Sequence, residues 1–455
     1  MFLDDYQERV AIGLCTRSGN TFFLHETFCV PEEYVLERQE WNITWDLSAI
    51  NPLLSKLRKK KSAAWTFIKF HNHPSGFAEF SKADDESDVL LADTVSNWLE
   101  ADASILSCVF LPDEKTLCRI VNNREGFGDV RVQIVGGPLL IREATYNSES
   151  FPEADHLDFD LRNRQVLGGA THSFLRQLKI GVVGYSGLGS PLLEQLLRLG
   201  CQNLVVVDPD VVEEKNLNRI LNSTWADVDK KTNKAALFSE IALQINPHCR
   251  VQSYSADVAE PEVISALGSC DLVFGCMDSV DGRYILNVIA TAFHIPFIDL
   301  GVACEAKENG GISSITYRID FVSPGQSSLA SREVFSAPAL DGALGWRSDP
   351  LFERKQKEGY ISKPVDNGAP AILPINMYIA SKAVIYFLDR LHPFIDKDYR
   401  SNNFVPDRIE GDLASVRFET RLGHESEFPI DLVLAKNIGL SNEMVFSKYQ
   451  ITNRF

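Results

Sequence analysis

Short apolar runs bounded by turn residues dominate the first third of the chain. Val10-Ala11-Ile12-Gly13-Leu14, Trp65-Thr66-Phe67-Ile68-Lys69-Phe70 and Ile105-Leu106-Ser107-Cys108-Val109-Phe110 predict strands. From Asp84 to Ala101 the apolar residues Val89, Leu90, Ala92, Val95, Trp98 and Leu99 recur at helical spacing, which predicts a helix. Residues 1–147 therefore read as a small α/β domain. Asn147 to Asp160 is polar and acidic, is broken by Pro152, and predicts a linker. From about residue 160 strands alternate with longer helices, the pattern of a parallel, doubly wound sheet, over residues 158–395. Residues 396–455 show short alternating segments and carry no motif; repeats and low-complexity tracts are absent throughout.

Composition narrows the class. A hydrophobic share of 45% in 455 residues is enough for more than one core without disulfides. The net charge of −17 argues against a nucleic-acid partner, because an acidic surface repels phosphate. The basic run Arg58-Lys59-Lys60-Lys61 reads as a solvated helix end. Nine cysteines stand singly with no Cys-x-x-Cys pair, which fits reduced thiols in the cytoplasm. No stretch reaches the roughly 18 apolar residues a membrane helix needs, and no signal-peptide pattern opens the chain.

Two stretches carry chemistry. The first is His71-Asn72-His73-Pro74, followed by Ser81 and Asp84, at the end of an apolar strand. Residues i and i+2 of a strand point the same way, so both imidazoles can face one ion, with Asp84 supplying an oxygen. Two His and a carboxylate with one open position make a catalytic zinc site. This stretch resembles the JAMM (JAB/MPN-plus) metallopeptidases, whose pattern is His-x-His-Pro, six residues, Ser, two residues, Asp; every fixed position is met. The resemblance implies zinc held by His71, His73 and Asp84, and a tetrahedral intermediate hydrogen-bonded by Ser81. It also implies a general-base Glu on an early strand. Glu8 is the choice here, with Glu26, Glu32 and Glu33 as alternatives.

The second is Ile180-Gly181-Val182-Val183-Gly184-Tyr185-Ser186-Gly187-Leu188-Gly189, a strand running into a glycine turn and then a helix. Glycines admit a phosphate close to backbone, and a helix N-terminus favours the anion. The next strand ends in Asp208, 19 residues after Gly189, where a ribose-binding acid would stand. Asn216, Arg219, Lys234 and Asp278 follow in order; taken singly, Arg219 and Lys234 also read as helix-surface cations and Asp278 as a strand-end cap. Together they resemble the ubiquitin-activating superfamily, including the MoeB/ThiF adenylyltransferases, over roughly residues 158–390. The resemblance implies ATP on Gly184, Gly187, Gly189 and Asp208, with Asn216, Arg219 and Lys234 at the phosphates and magnesium on Asp278. Arg164 matches the arginine that such homodimers insert into the partner's site.

Relatives of this kind often carry paired cysteines for structural zinc or a thioester. Here Ser328 and Ser331 stand in those places, and the last cysteine, Cys304, reads as part of a buried strand. The two resemblances imply a bifunctional enzyme. One half would adenylate a ubiquitin-like protein for transfer to a conjugating enzyme, and the other would hydrolyse the modifier's peptide or isopeptide bonds. Activation of a sulfur-carrier protein, or a non-catalytic scaffold binding such a protein, are the competing readings.

Overall fold

The computed structural model describes residues 7–18, 21–38, 43–60, 65–99, 103–112, 116–122, 126–130, 158–307, 310–323, 327–348, 372–391, 394, 407–413 and 417–421. The chain divides into two compact units, one holding the described residues up to 130 and the other those from 158. The expected linker falls outside the described residues except for Asp158–Asp160, a single 3-10 turn. No helix among the described residues is long and apolar enough to cross a membrane.

The first unit is built on a six-stranded sheet of β1 (Val10–Ser18), β2 (Thr21–Cys29), β5 (Trp65–Asn72), β6 (Ile105–Phe110), β7 (Thr116–Asn122) and β8 (Gly126–Asp129), in the order β2-β1-β5-β6-β7-β8. Only β5 and β6 run parallel, joined through helix α2 (Lys82–Leu99). Two short strands, β3 (Val35–Arg38) and β4 (Ile43–Trp45), pair separately, and helix α1 (Asn51–Lys60) ends in the basic run. The core gathers Ile12, Leu14, Phe67 and Ile105 of the sheet with Leu54 of α1 and Leu91 and Val95 of α2. Phe67 and Ile68 belong to different clusters, so β5 alternates sides as a strand must. The helix expected from Asp84 begins two residues earlier, at Lys82.

The thiols depart from expectation at one place. Cys108 and Cys118 are directly opposed on β6 and β7 and form a disulfide, while the other seven cysteines are free. Ten residues separate the pair across a hairpin, and their Cα atoms lie 4.2 Å apart. Nothing local marks these two among nine single cysteines; the strand register selects them.

The second unit carries an eight-stranded sheet in the order β11-β10-β9-β12-β13-β14-β15-β16. Its members are β9 (Lys179–Val183), β10 (Asn203–Val207), β11 (Arg250–Tyr254), β12 (Leu272–Gly275), β13 (Phe297–Ala306), β14 (Ile312–Val322), β15 (Arg408–Asp412) and β16 (Arg417–Arg421). The first five run parallel, and the last three pair antiparallel. Strands β9, β10 and β12 are almost wholly buried, as parallel strands covered on both faces are. Nine helices accompany the sheet among the described residues: α3 (Leu161–Leu167), α4 (Gly169–Gln177), α5 (Gly189–Arg198), α6 (Trp225–Lys230), α7 (Lys234–Ile245), α8 (Pro261–Gly268), α9 (Val280–Ala292), α10 (Ala337–Ser348) and α11 (Leu373–Leu391). Strands β15 and β16 come from residues after 395 and extend this same sheet.

Cys304 is not in the core. Strand β12 ends at Gly275, opposite Asp299, and β13 runs on past it with β14 as its partner. There burial gives way to exposure, and Cys304 is half-buried.

Candidate functional sites

In the first unit the register of β1 against β5 sets Val10 opposite His71, which brings the chain just before β1 beside the end of β5. The Arg9 backbone N–H donates to Asn72 Oδ1 at 2.6 Å and pins that approach. His71 closes β5, and His73 follows in the turn. Asp84 stands in the first turn of α2, where a carboxylate is favoured by the helix dipole. Ser81 caps the helix: its N–H and Oγ donate to Asp84 Oδ2 at 2.8 and 2.7 Å, and the Asp84 N–H donates back to Ser81 Oγ at 3.1 Å.

This folding draws His71, His73 and Asp84 into one buried cluster, with ligand atoms all within 4.8 Å of one another. The two Nε2 atoms are 3.2 Å apart, and Asp84 lies 2.8 Å from His71 Nε2 and 3.5 Å from His73 Nε2. The His73 Nδ1–H donates to the Phe77 carbonyl at 2.7 Å, which leaves its Nε2 lone pair for the cluster. Two imidazole nitrogens and a carboxylate oxygen aimed at one point fit a divalent metal of the zinc type. Burial depresses the His71 pKa, the direction that favours a neutral ligand ring. At His73 burial pulls the same way, but the hydrogen bonds to Asp84 and Phe77 and the charges of Asp84 and Glu8 outweigh it and raise the pKa. Burial alone would raise Asp84, but hydrogen bonds from His71 and His73 hold its carboxyl far below the usual range.

Glu8 is buried at the same place. Burial lifts its pKa to about 7; the charge of His73 opposes the rise and that of Asp84 assists it. A carboxyl tuned close to neutrality suits a proton carrier. Of the alternatives, Glu32 is exposed and bonded to Arg38 at 2.7 Å, and Glu33 is exposed. The Glu26 side chain lies outside the described set.

In the second unit the strand order reverses between β9 and β12, a topological switch point where ligands bind in such sheets. Gly184 leaves β9 there with φ +97°, and a Cβ on it would sit 2.8 Å from the Cys276 carbonyl oxygen. A Cβ on Gly189 would lie against the Gly184 carbonyl oxygen, and one on Gly187 would strike Asn376 of α11. Helix α5 begins at Gly189 with no side chain capping it. The Ser190 N–H donates to the Ser186 carbonyl at 3.0 Å and Pro191 has no N–H, so the N–H groups of Gly187, Leu188 and Gly189 are those placed to meet an anion.

Asp208 follows β10 and is buried. Its carboxylate accepts from the Tyr185 N–H at 2.7 Å and the Asp210 N–H at 2.9 Å, tying the glycine turn to the next strand. Burial raises its pKa against the opposing charge of Lys234. Lys234 opens α7, buried, with Nζ 2.8 Å from Asp210. Arg219 lies beside Gly187 and donates to the Lys215 carbonyl at 2.6 Å. Asn216 is buried, and its Oδ1 accepts the Glu213 N–H at 3.0 Å within a capping box. Asp278 is exposed just past β12, beside the start of α9. Arg164, on α3, is 3.1 Å from Asp160 of its own chain.

Sequence reasoning missed Asn376, the α11 residue packed on the glycine turn. An isolated Asn in an apolar helix carries no local signal, since its role comes from the packing of α11 on α5. It also missed a cavity of about 510 Å³ along β13, β14 and β15, lined by Arg283, Thr316, Tyr317, Arg318, Glu410 and Asp412. Ser328 and Ser331 bond each other: the Ser328 N–H donates to Ser331 Oγ at 2.8 Å and the Ser331 N–H to Ser328 Oγ at 3.1 Å. Uncharged hydroxyls in that closed pair offer no thiolate and no metal site.

The model of the ThiF family matches residues 161–416, more than half of the chain. The chain belongs to the ThiF family. Its match spans the glycine turn and every parallel strand of the second unit. Similar proteins to this ThiF chain include the adenylyltransferase and sulfurtransferase MOCS3 of Drosophila virilis, 33% identical over 124 residues, which is 27% of either chain. The SAMP-activating enzyme E1 of Haloferax volcanii is 34% identical over 120 residues, 26% of this chain and 44% of that protein. The sulfur carrier protein adenylyltransferase of Thermus thermophilus is 28% identical over 222 residues, 48% of this chain and 72% of that protein. The chain thus matches about a quarter of the length of the fly relative and most of the Thermus one. Among solved structures, Escherichia coli MccB is similar at 14% identity and a TM-score of 0.45, over 62% of this chain and 76% of that one.

Proposed function

We propose that the second unit, drawn as residues 158–395 with the sheet extended from 396–455, adenylates the C-terminus of a ubiquitin-like protein. The observation that carries this reading is the glycine turn at the switch point, with Asp208 bonded to the turn and Arg219 beside it. The ATP phosphates lie on the N–H groups at Gly187 and Gly189, and Asp208 meets the ribose. Lys234 leaves Asp210 to meet the phosphates, with Arg219 and Asn216 beside it. Asp278, exposed past β12, would hold magnesium. The modifier's carboxylate attacks the α-phosphate; the bond to the β-phosphate breaks and pyrophosphate leaves. Cations around the transferring group stabilise the charge that develops there. The cavity beside Arg283 and Arg318 supplies room for an extended terminal segment. A second copy contributes Arg164 across a homodimer interface, and a conjugating enzyme accepts the adenylated modifier. No thioester is assigned to this chain, given Ser328 and Ser331. ATP–pyrophosphate exchange that depends on a ubiquitin-like protein tests the reading: Asp278→Ala abolishes it, and exchange that survives that change sinks it.

A second reading, activation of a sulfur carrier, is favoured by the names of the fly and Thermus relatives. Transfer of the adenylated carrier to a conjugating enzyme rather than conversion to a thiocarboxylate separates the two.

The first unit, residues 1–147, is proposed as a JAMM-type hydrolase of peptide or isopeptide bonds made by that modifier, acting in the cytoplasm. Zinc held by His71, His73 and Asp84 would supply Lewis acidity at the scissile carbonyl. Glu8 takes a proton from the attacking water and passes it to the leaving amine. Ser81 would turn its single O–H from Asp84 Oδ2 to the developing oxyanion. Cleavage of a modifier fusion tests this: Glu8→Ala leaving the rate unchanged would place the base elsewhere.

A further inference from the structure

We infer that Arg119 is a positioning residue for the His71–His73–Asp84 cluster. The inference rests on the reading of that cluster as a metal site. Arg119 lies on β7, 38 residues or more from each of the cluster's histidines and Ser81 in sequence. Its side chain is fully buried. Burying a guanidinium costs several kcal/mol unless its donors and faces are satisfied.

Here they are satisfied from the segments that carry the cluster. Arg119 Nε and Nη2 donate to Asp88 Oδ2 at 3.1 and 2.7 Å, and Nη1 donates to Asp85 Oδ1 at 2.5 Å. Its two faces lie against aromatic rings, Phe80 at 3.8 Å and Phe127 at 4.0 Å to the centroids. Phe80 immediately precedes Ser81. Asp85 immediately follows Asp84. Asp88, one helical turn on, also takes Lys69 Nζ at 2.5 Å, and Lys69 stands two residues before His71 on the same side of β5. One cation therefore grips the loop at Ser81, the first turn of α2 at Asp84 and, through Asp88, the strand that delivers His71.

Two cations, Lys69 and Arg119, thus face two carboxylates, Asp85 and Asp88. A compact ammonium could match the charge but not the geometry. Only a planar fork can hold two carboxylates edge-on while two rings close its faces. Letting go of this clamp frees Phe80 and the start of α2 to shift, and a metal ligand displaced by a fraction of an ångström binds weakly. Groups behind metal ligands typically matter by about 10- to 100-fold in affinity.

The test uses the full chain and cobalt(II), whose visible absorption reports coordination geometry. Wild type takes up one cobalt ion per chain with an intense visible band. Arg119→Met and Arg119→Lys, at unchanged far-ultraviolet dichroism, bind cobalt about 10- to 100-fold more weakly and show an altered band. Phe127→Leu, which removes one face of the clamp and no charge, shifts affinity the same way by less. A lower melting temperature with wild-type cobalt affinity and spectrum in Arg119→Lys means a merely structural role and overturns the inference. Wild type that takes up no cobalt overturns the metal reading beneath it.

Discussion

Replacing Gly184 with Ala adds one methyl group at the junction of β9 and β12. The residue sits at φ +97°, and the new Cβ would lie 2.8 Å from the Cys276 carbonyl oxygen and 3.0 Å from its carbon. Both obstacles are backbone, so no side chain can swing aside. Holding an L-residue at such a φ costs on the order of 1–3 kcal/mol. Forcing a carbon into a packed site adds roughly 1–3 kcal/mol. The second unit should therefore lose on the order of 2–6 kcal/mol, a fall of several degrees in its thermal transition. The turn must also shift by tenths of an ångström at the place proposed for phosphate, so ATP–pyrophosphate exchange should fall far more than stability alone explains. The same substitution at Gly342 is the control. It lies in α10 with nothing within 4 Å of an added Cβ, and helix propensity there favours Ala by up to about 1 kcal/mol. Gly184→Ala with an unchanged transition and unchanged exchange would refute the argument from close approach.

Arg318 bonds Asp299 at 2.6 Å and Asp320 at 2.5 Å, both wholly buried. Arg318→Met strips them of that partner and should cost roughly 3–5 kcal/mol by chemical denaturation. Burial already holds the Asp299 pKa above its ordinary value against the charges of Arg318 and Arg283. A carboxyl raised in the folded state stays protonated where the unfolded one ionises, so its presence costs stability as pH rises through that window. The deficit of Arg318→Met should shrink as pH falls toward the ordinary carboxylate range, and a deficit that grows instead contradicts the assignment. Thiol labelling of the native chain near pH 8 should modify the exposed Cys29 first. Burial pushes Cys15, Cys201 and Cys270 up to about 12, so mass spectrometry should find them unmodified until the chain unfolds.

Local signals and tertiary ones divided cleanly between what the sequence disclosed and what it withheld. His71, His73, Ser81 and Asp84 fall within fourteen residues, and the glycine turn within six, so spacing along one strand-turn-helix segment is enough to expose them. The parallel sheet was legible because its buried strands are unbroken apolar runs. Arg119 was not legible: its partners Asp85 and Asp88 lie 34 and 31 residues away, and a single Arg inside a strand looks like a solvated one. Asn376 and the Cys108–Cys118 pair were hidden for the same reason, since packing and register choose them. Strands β15 and β16 were the hardest, because five-residue segments rich in charge take their strand form from β14 rather than from their own side chains.

That dependence orders events during synthesis. Strand β14 carries the buried Asp320, and one of its guanidinium partners is Arg408, 2.7 Å away but 88 residues later in the chain. A nascent chain that has emerged only to residue 395 has an open β14 edge and a carboxylate lacking that partner. The sheet finishes only when β15 and then β16 arrive, so its completion waits for the ribosome to reach the tail. Shortened versions ending near 395 should consequently expose a ready template for pairing between chains, and expression trials that trim the tail should yield aggregates where the longer chain does not.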